Sequence, residues 1–148
     1  MMKKMLVVIL VGILAVVILE GKEKTKPMFP SYKGLVMCGY QGWFRADGDA
    51  AKSGWGHYGR NGKFDPEHNT IDIWPDVSDY EKTYETDFLY PDGSKAKVFS
   101  SIDKSTTDLH FKWMKEYGID GVFMQRFYGV TRGKERRKYQ DIILKNAF

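Results

Sequence analysis

The amino-acid sequence predicts an α/β protein built around a parallel sheet. Two short apolar runs, residues 35–38 and 119–124, have the length and composition of buried strands. An amphipathic segment, residues 105–117, lies between them and has the spacing of a helix. A strand, a helix and a second strand in this order form a unit in which the two strands run parallel. We therefore expect both runs to end at the same edge of one sheet.

Aromatic and amide side chains follow the carboxyl ends of both runs. Tyr40, Gln41 and Trp43 come after the first run, and Gln125 and Arg126 come after the second. Ligands of parallel α/β sheets collect at this edge. Flat apolar faces beside hydrogen-bonding groups suit a polar ligand that has apolar faces of its own, and a sugar fits best. The pattern predicts one wall of a saccharide groove.

The helix between the two runs has start and stop signals. Ser105 is expected to be its N-cap, with Asp108 in capping-box position. Gly118 is expected to end the helix. His110 lies one turn before Met114 on the apolar face, so we expect it to be a packing residue rather than a metal or substrate ligand.

A long irregular segment, residues 39–104, separates the first strand from this helix. Such segments inside a compact domain are usually functional. Within it, residues 86–90 and 95–100 flank a Pro-Asp-Gly-Ser turn at 91–94, which predicts a hairpin.

The final segment, residues 133–148, predicts a second crossover helix, and no third strand follows it. A complete (β/α)8 barrel needs about 250 residues, whereas this chain has 148. We therefore expect the chain to be the front portion of a longer α/β protein.

The amino terminus is expected to direct export. Lys3 and Lys4 precede an apolar run, residues 5–19, which as a helix would span roughly 22 Å against the ~30 Å hydrocarbon core. A positive start followed by such a run is typical of a signal peptide. An uncleaved membrane anchor is the alternative, because no clear cleavage site follows. We expect a signal peptide or membrane anchor at 1–21, a linker at 22–32 and an exported domain at 33–148, periplasmic, extracellular or held at the membrane through 5–19.

Composition and charge exclude several classes of ligand and partner. The net charge is only +4, and no basic stripe alternates with the aromatic residues, so nucleic acid is not an expected partner. Cys38, the only cysteine, lies in an apolar strand and is expected to be a small packing residue. The three histidines do not have the spacing of metal ligands, so we predict no metal site and no cofactor.

The segment Gly54–Gly59 matches the spacing G-x-G-x-x-G but does not predict a dinucleotide site. That fingerprint needs a strand directly before it and a helix directly after it, and neither is expected here. Trp55 and His57 within it could present an aromatic face and an imidazole to a ligand. Alternatively, the loop packs its aromatic side chains against its own domain.

A second candidate segment places two carboxylates around a tryptophan. Asp72 and Asp76 flank Trp74, and carboxylates beside an aromatic ring can accept hydrogen bonds from vicinal sugar hydroxyls. The alternative is a turn at 75–78 that begins a short helix, with Asp76 as the helix cap. We favour the cap for Asp76, and for Asp72 both interpretations remain open.

Five segments occur in a fixed order: MCGYQGWF at 37–44, GWGH at 54–57, DIWPDVS at 72–78, FSS at 99–101 and DLHFKWMKEYGIDGVFMQRF at 108–127. Together they resemble the opening of bacterial glycoside hydrolase family 71/99-like proteins. The resemblance covers nearly all of the predicted exported domain.

The resemblance implies a (β/α)8 barrel of the TIM type, of which this chain would be the N-terminal portion, acting on α-linked glycans of mannan or glucan type. The family's catalytic glutamates lie on later strands and have no counterpart here, so we assign no catalytic residue. We expect the chain alone to be inactive. The alternative function is a membrane-tethered carbohydrate-binding fragment or pseudoenzyme. Expected contacts to the oligosaccharide or polysaccharide come from Tyr40, Gln41, Trp43, Trp55, His57, Asp72, Trp74, Gln125 and Arg126.

Overall fold

The computed structural model describes residues 29–148, apart from the side chains of residues 135 and 136. The predicted signal or anchor segment, and the linker as far as residue 28, lie outside the described residues. The chain divides into two compact units, and the fold described below belongs to the second, Leu35–Phe148. None of the helices within residues 29–148 is long and apolar enough to cross a membrane. The elements are β1 (Met37–Tyr40), β2 (Tyr84–Leu89), β3 (Lys95–Val98), α1 (Lys104–Glu116), β4 (Gly121–Met124), α2 (Tyr128–Thr131) and α3 (Lys134–Asn146).

The predicted parallel pair is confirmed. β1 and β4 run side by side in the same direction, with Met37 opposite Gly121 and Tyr40 opposite Met124. Backbone bonds extend the pairing at the carboxyl end, where the Gln125 amide donates to the Tyr40 carbonyl at 2.9 Å. The residues that follow both strands therefore emerge at one edge of the sheet, as a βαβ unit requires.

The hairpin in the long segment is also confirmed. β2 and β3 pair antiparallel, with an irregularity between Glu85 and Leu89. The turn is closed by a 2.9 Å bond from the Tyr90 amide to the Ser94 carbonyl. Asp92 accepts from the Ser94 amide at 2.9 Å, the kind of local bond that makes aspartate common in turns.

The predicted barrel is wrong for the part of the chain that the structure describes. The strands there form two separate two-stranded sheets, β1–β4 and β2–β3, and neither closes into a barrel. A barrel requires successive strands to join one sheet, but β2 and β3 pair with each other. A short turn links these two strands, so their local pairing closes only a small loop at low entropic cost. A single parallel βαβ unit results, next to an antiparallel hairpin.

Helix α1 begins differently from the prediction and ends as predicted. Its N-cap is Asp103 rather than Ser105, and no side chain caps the first turn. At the other end Gly118 has a φ of +75°, and the amides of Gly118 and Ile119 donate to the carbonyls of Lys115 and Met114 at 3.2 and 2.8 Å. These two bonds form a Schellman motif, in which a residue with positive φ ends the helix.

Two clusters of buried side chains stabilise the unit. The first contains Tyr40, Ile102, Tyr139 and Ile143, and joins β1 to α3. We call the second the aromatic core; its buried members are Ala46, Tyr58, Phe64 and Val98, with Phe44, Trp55, Ile71, Trp74, Tyr84 and Phe88 packed against them. The long segment therefore folds against the hairpin through its own aromatic side chains.

Candidate functional site

A cavity of about 380 Å³ lies at the carboxyl edge of the parallel pair. Its walls come from the segment after β1, the segment after β4, and α3. We call it the edge cavity; its lining residues are Gln41, Trp43, Arg45, Ala50, Ala51, Ser53, His57, Ile102, Gln125, Phe127, Val130, Lys138, Tyr139, Gln140 and Ile142. Its size and mixed lining are typical of a small-molecule site.

Three parallel rings form one wall of the edge cavity. The Trp43 indole stacks on the His57 imidazole, with ring centroids 4.4 Å apart and an interplanar angle of 22°. Trp43 also lies nearly parallel to Phe127, with centroids 6.0 Å apart and an angle of 7°. Phe127 is 50% exposed. These rings offer flat apolar surface to a ligand while remaining accessible from solvent.

Amide groups line the cavity from three directions. Gln41 follows β1, Gln125 follows β4, and Gln140 lies on α3. A primary amide both donates and accepts hydrogen bonds, so it can pair with a hydroxyl in either sense. The backbone bond that joins Gln125 to Tyr40 holds two of these segments together.

Arg126 supports the cavity from behind rather than lining it. Its guanidinium donates to an Asp141 carboxylate oxygen at 2.8 Å and to the Gln140 carbonyl at 2.9 Å. Both partners belong to α3. These bonds tie the segment after β4 to the helix that contributes Gln140, so Arg126 acts as a positioning residue.

A buried carboxylate organises the turn at the cavity floor. Asp49 is 1% exposed. It accepts from the Ala46 amide at 3.2 Å, the Ala51 amide at 2.8 Å and the Ser100 hydroxyl at 2.6 Å. A buried carboxylate is tolerated when such bonds replace its hydration. Asp49 therefore fixes the turn that brings Ala51 to the cavity lining.

Arg45 is held at the cavity by several contacts. Its guanidinium donates to the Ser53 hydroxyl at 3.0 Å and lies 5.6 Å from the centre of the Tyr139 ring. Its backbone exchanges two 3.0 Å hydrogen bonds with Gly56. A side chain at Gly56 would overlap the guanidinium of Arg45, so the glycine gives the arginine room to reach the lining.

The surroundings of His57 favour its neutral form. Burial, and secondarily the positive charge of Arg45, lower the pKa of its imidazole. Its φ of +63° is unusual for a residue with a side chain. Such backbone conformations persist only where the surroundings enforce them, and they concentrate at functional sites. Stacking on Trp43 supplies one such constraint.

Tyr139 contributes a buried hydroxyl to the same region. The hydroxyl donates to the Phe44 carbonyl at 3.0 Å. Burial raises the pKa of Tyr139 far above its usual value, so the phenol stays protonated. The bond connects α3 to the segment after β1.

Four of the nine residues predicted from sequence line the edge cavity, namely Gln41, Trp43, His57 and Gln125. Arg126 lies behind it, as described above. The remaining four are Tyr40, Trp55, Asp72 and Trp74, and the structure places them elsewhere.

Tyr40 is buried beneath the edge of the sheet. Its hydroxyl lies 3.0 Å from Nδ1 of His110, and the hydroxyl of Tyr80 lies 2.7 Å from Nε2 of the same ring. Burial lowers the pKa of His110 to about 4. The packing role expected of His110 agrees with this arrangement.

Trp55 and Trp74 belong to the aromatic core. Trp74 stacks on Phe64, with centroids 5.6 Å apart, and its indole donates to the Lys97 carbonyl at 2.9 Å. Trp55 packs on the same Phe64 ring at 5.1 Å. Of the alternatives for this loop, packing within the domain describes Trp55, whereas His57 reaches the cavity.

The two carboxylates around Trp74 do not meet at a site. Asp72 is exposed and does not line the edge cavity. Asp76 accepts from the Ser78 amide at 2.9 Å, and this bond lowers the pKa of Asp76. The hydrogen bond expected of Asp76 is present, but it closes a turn, and no helix follows it in the described residues before β2.

Several lining residues were missed from the sequence, above all Arg45, Phe127, Lys138, Tyr139 and Gln140. Arg45 directly follows Trp43 and Phe44, so its position after β1 was a usable signal. The three on α3 carried no signal of their own, because only the packing of α3 brings them to the edge of the sheet.

No metal centre is evident within residues 29–148, where no three His, Cys, Asp or Glu side chains are grouped as ligands. The chain matches no protein-family model, no curated protein and no solved structure.

Proposed function

We propose that this chain binds a saccharide in the edge cavity. The observation that carries the proposal is the combination of the parallel Trp43 and Phe127 rings with amide groups on three sides of one cavity. A pyranose presents C–H groups on its faces and hydroxyls around its rim. Rings contact the faces, and amides pair with the hydroxyls in either sense.

The resemblance of the sequence motifs to glycoside hydrolases supports α-linked glycans of mannan or glucan type as the ligand class. The positive start and the apolar run at 5–19 support export of the chain, with membrane attachment if that run is retained. We propose a role in binding such glycans rather than in cleaving them.

The charge of the lining supports binding without turnover. Glycoside hydrolysis normally uses two carboxyl groups, about 5 to 10 Å apart, on either side of the scissile bond. None of the described side chains that line the edge cavity is acidic. Two carboxylates next to lining residues in the sequence, Asp49 and Asp141, are already bound by a backbone amide and by Arg126, respectively.

Calorimetric titration of the full chain with α-linked manno- and gluco-oligosaccharides tests binding. The protein is best kept in a detergent without a sugar headgroup, which avoids a competing ligand. We expect Trp43→Ala to weaken binding at least about tenfold, the effect of removing a central aromatic contact. Tyr117→Ala is the matched control, because Tyr117 is 84% exposed and lies outside the cavity lining.

Absence of binding to every α-linked glycan, or equal affinity of the Trp43→Ala variant, would refute the proposal. An assay for newly formed reducing ends separates the two functions. Release of sugar that Trp43→Ala abolishes would establish a hydrolase and contradict a purely binding role.

A further inference from the structure

We infer that the edge cavity selects an acidic saccharide, one that carries carboxylate or sulfate groups, over a neutral one. This inference rests on the saccharide-binding function proposed above and adds the charge of the ligand. It comes from the charges of the cavity's side chains and from the absence of ion pairs to them among the side chains that the structure describes.

Both fully charged side chains of the lining are cationic. Arg45 lies on the side formed by the segment after β1, and Lys138 lies on α3. The lining side chains that the structure describes include no carboxylate to neutralise them. A cavity with charge of one sign concentrates ligands of the opposite sign.

Neither cation takes part in an ion pair within the described side chains. Other cations of the unit do: Arg126 pairs with Asp141 at 2.8 Å, and Lys82 pairs with Asp103 at 2.7 Å. Arg45 instead bonds a neutral hydroxyl and lies beside the Tyr139 ring. Its guanidinium has five N–H donors, so donors remain for a ligand after the bond to Ser53.

Arg45 is also pre-organised for an anion. The double backbone bond to Gly56 fixes its main chain, and the hydroxyl of Ser53 fixes its head group. A planar guanidinium held in one place binds carboxylate or sulfate with little further loss of side-chain entropy. The neutral His57 beside it can donate or accept a hydrogen bond without competing for the charge.

The positive surface continues along α3. A shallow hollow of about 350 Å³ shares Lys138 and Ile142 with the edge cavity, and its other lining residues are Lys134, Arg137, Asp141 and Lys145. Asp141, the one carboxylate among them, is paired with Arg126. An acidic chain with one sugar in the edge cavity could therefore extend along this helix. A regularly charged glycan fits this arrangement better than a neutral mannan or glucan.

Three α-linked oligosaccharides of equal length test the inference against the full chain. They are an oligogalacturonide, its methyl ester and a malto-oligosaccharide; a sulfated malto-oligosaccharide distinguishes sulfate from carboxylate as the preferred group. We expect at least one acidic ligand to bind about tenfold or more tightly than its uncharged counterpart, the increment of a charge-assisted hydrogen bond. The preference should shrink between 50 and 300 mM salt, because salt screens exposed charges.

Protein variants show which cation is responsible for the preference for an acidic ligand. Arg45→Gln should weaken the acidic ligand about tenfold to a hundredfold, and the malto-oligosaccharide by a clearly smaller factor. Lys138→Gln should weaken binding of the acidic ligand about two- to fivefold, because Lys138 is exposed. Lys97→Gln removes the same charge from an exposed hairpin position outside the lining and should change nothing.

The possible outcomes separate the acidic preference from the saccharide-binding function. Equal or tighter binding of the neutral ligands overturns the acidic preference and leaves the saccharide function standing. No binding of any glycan overturns both. A single-stranded oligonucleotide that displaces the oligogalacturonide at lower concentration would show that the positive surface serves nucleic acid. If Arg45→Gln fails to fold, the methyl ester and salt comparisons still decide, because they use the unaltered protein.

Discussion

Two regions of this unit are rich in aromatic side chains, but their rings have different neighbours. In the aromatic core, Phe64 contacts four other rings, and it is only 3% exposed. In the edge cavity, Trp43 contacts two rings, those of His57 and Phe127. Phe127 is 50% exposed to solvent. Aromatic residues surrounded by other rings stabilise the fold, whereas those that keep an open face are available to a ligand.

The polar groups of the two regions also differ in how far they are bonded within the fold. In the aromatic core, the Tyr58 hydroxyl donates to the Phe99 carbonyl at 2.8 Å, and the Trp74 indole donates to the Lys97 carbonyl at 2.9 Å. At the edge cavity, amide and guanidinium groups have donors to spare. A high density of aromatic residues therefore does not by itself mark a binding site.

The largest effect should come from the aromatic core. Phe64→Ala removes the ring that contacts Trp55, Tyr58, Trp74 and Phe88, so we expect a loss of about 3–5 kcal/mol in the free energy of unfolding. Urea denaturation followed by near-ultraviolet circular dichroism measures it. Ile73→Ala is the matched control in the same segment, because Ile73 is 85% exposed. Equal losses in both variants would mean that Phe64 is not a core residue.

A second effect should appear on lowering the pH. His110 lies between Tyr40 and Tyr80, and burial lowers its pKa from 6.5 to about 4. The unfolded chain then binds the proton more readily than the folded one. The contribution of His110 is therefore complete above pH 6.5 and is lost as the pH falls towards 4. We expect on the order of 2–3 kcal/mol over that window.

His110→Gln cannot titrate and provides the comparison. The free energy of unfolding of this variant should fall less steeply between pH 6.5 and 4 than that of the natural protein. The pH dependence that remains in the variant comes from His57 and the carboxylates. Identical slopes for the two proteins would show that His110 is protonated with an ordinary pKa in the folded state.

The smallest effect on stability should come from the cavity wall. Trp43→Ala removes a half-buried ring with one close stacking partner, so we expect a loss of about 1 kcal/mol or less. The same variant is expected to lose saccharide binding. A loss of stability as large as that of Phe64→Ala would assign Trp43 to the core and remove the distinction between the two regions.

Local signals in the sequence predicted local structure well. The apolar runs and the helix between them indicated the parallel pair, Gly118 indicated the end of α1, and Pro91-Asp92-Gly93 indicated the hairpin. Each depends on interactions within a few residues or on a topology with one favoured hand. The N-cap was misplaced by two residues, because Asp103 uses its carboxylate to bond Lys82 and Tyr84 rather than the helix.

The remaining features could not be predicted from the sequence, because they depend on packing between distant segments. Trp55 and Trp74 have the composition of a sugar site, but they fill the space between the long segment and the hairpin. The barrel was expected from the resemblance to glycoside hydrolases, whereas the predicted hairpin pairs only with itself and adds no strand to the parallel pair. Arg45 and Gln140 meet at one cavity although 95 positions separate them in the numbering.

By itself, the sequence determined the parallel direction of β1 and β4, the hairpin, and the emergence of Gln41, Trp43 and Gln125 at one edge. Short stretches of the chain carry the signals for these features, namely the apolar runs, the helix between them and the residues of the turn. Only the tertiary structure decided which aromatic rings were buried and which of the described cations form ion pairs. Burial and pairing depend on every segment that packs nearby, and no single stretch of the chain contains that information.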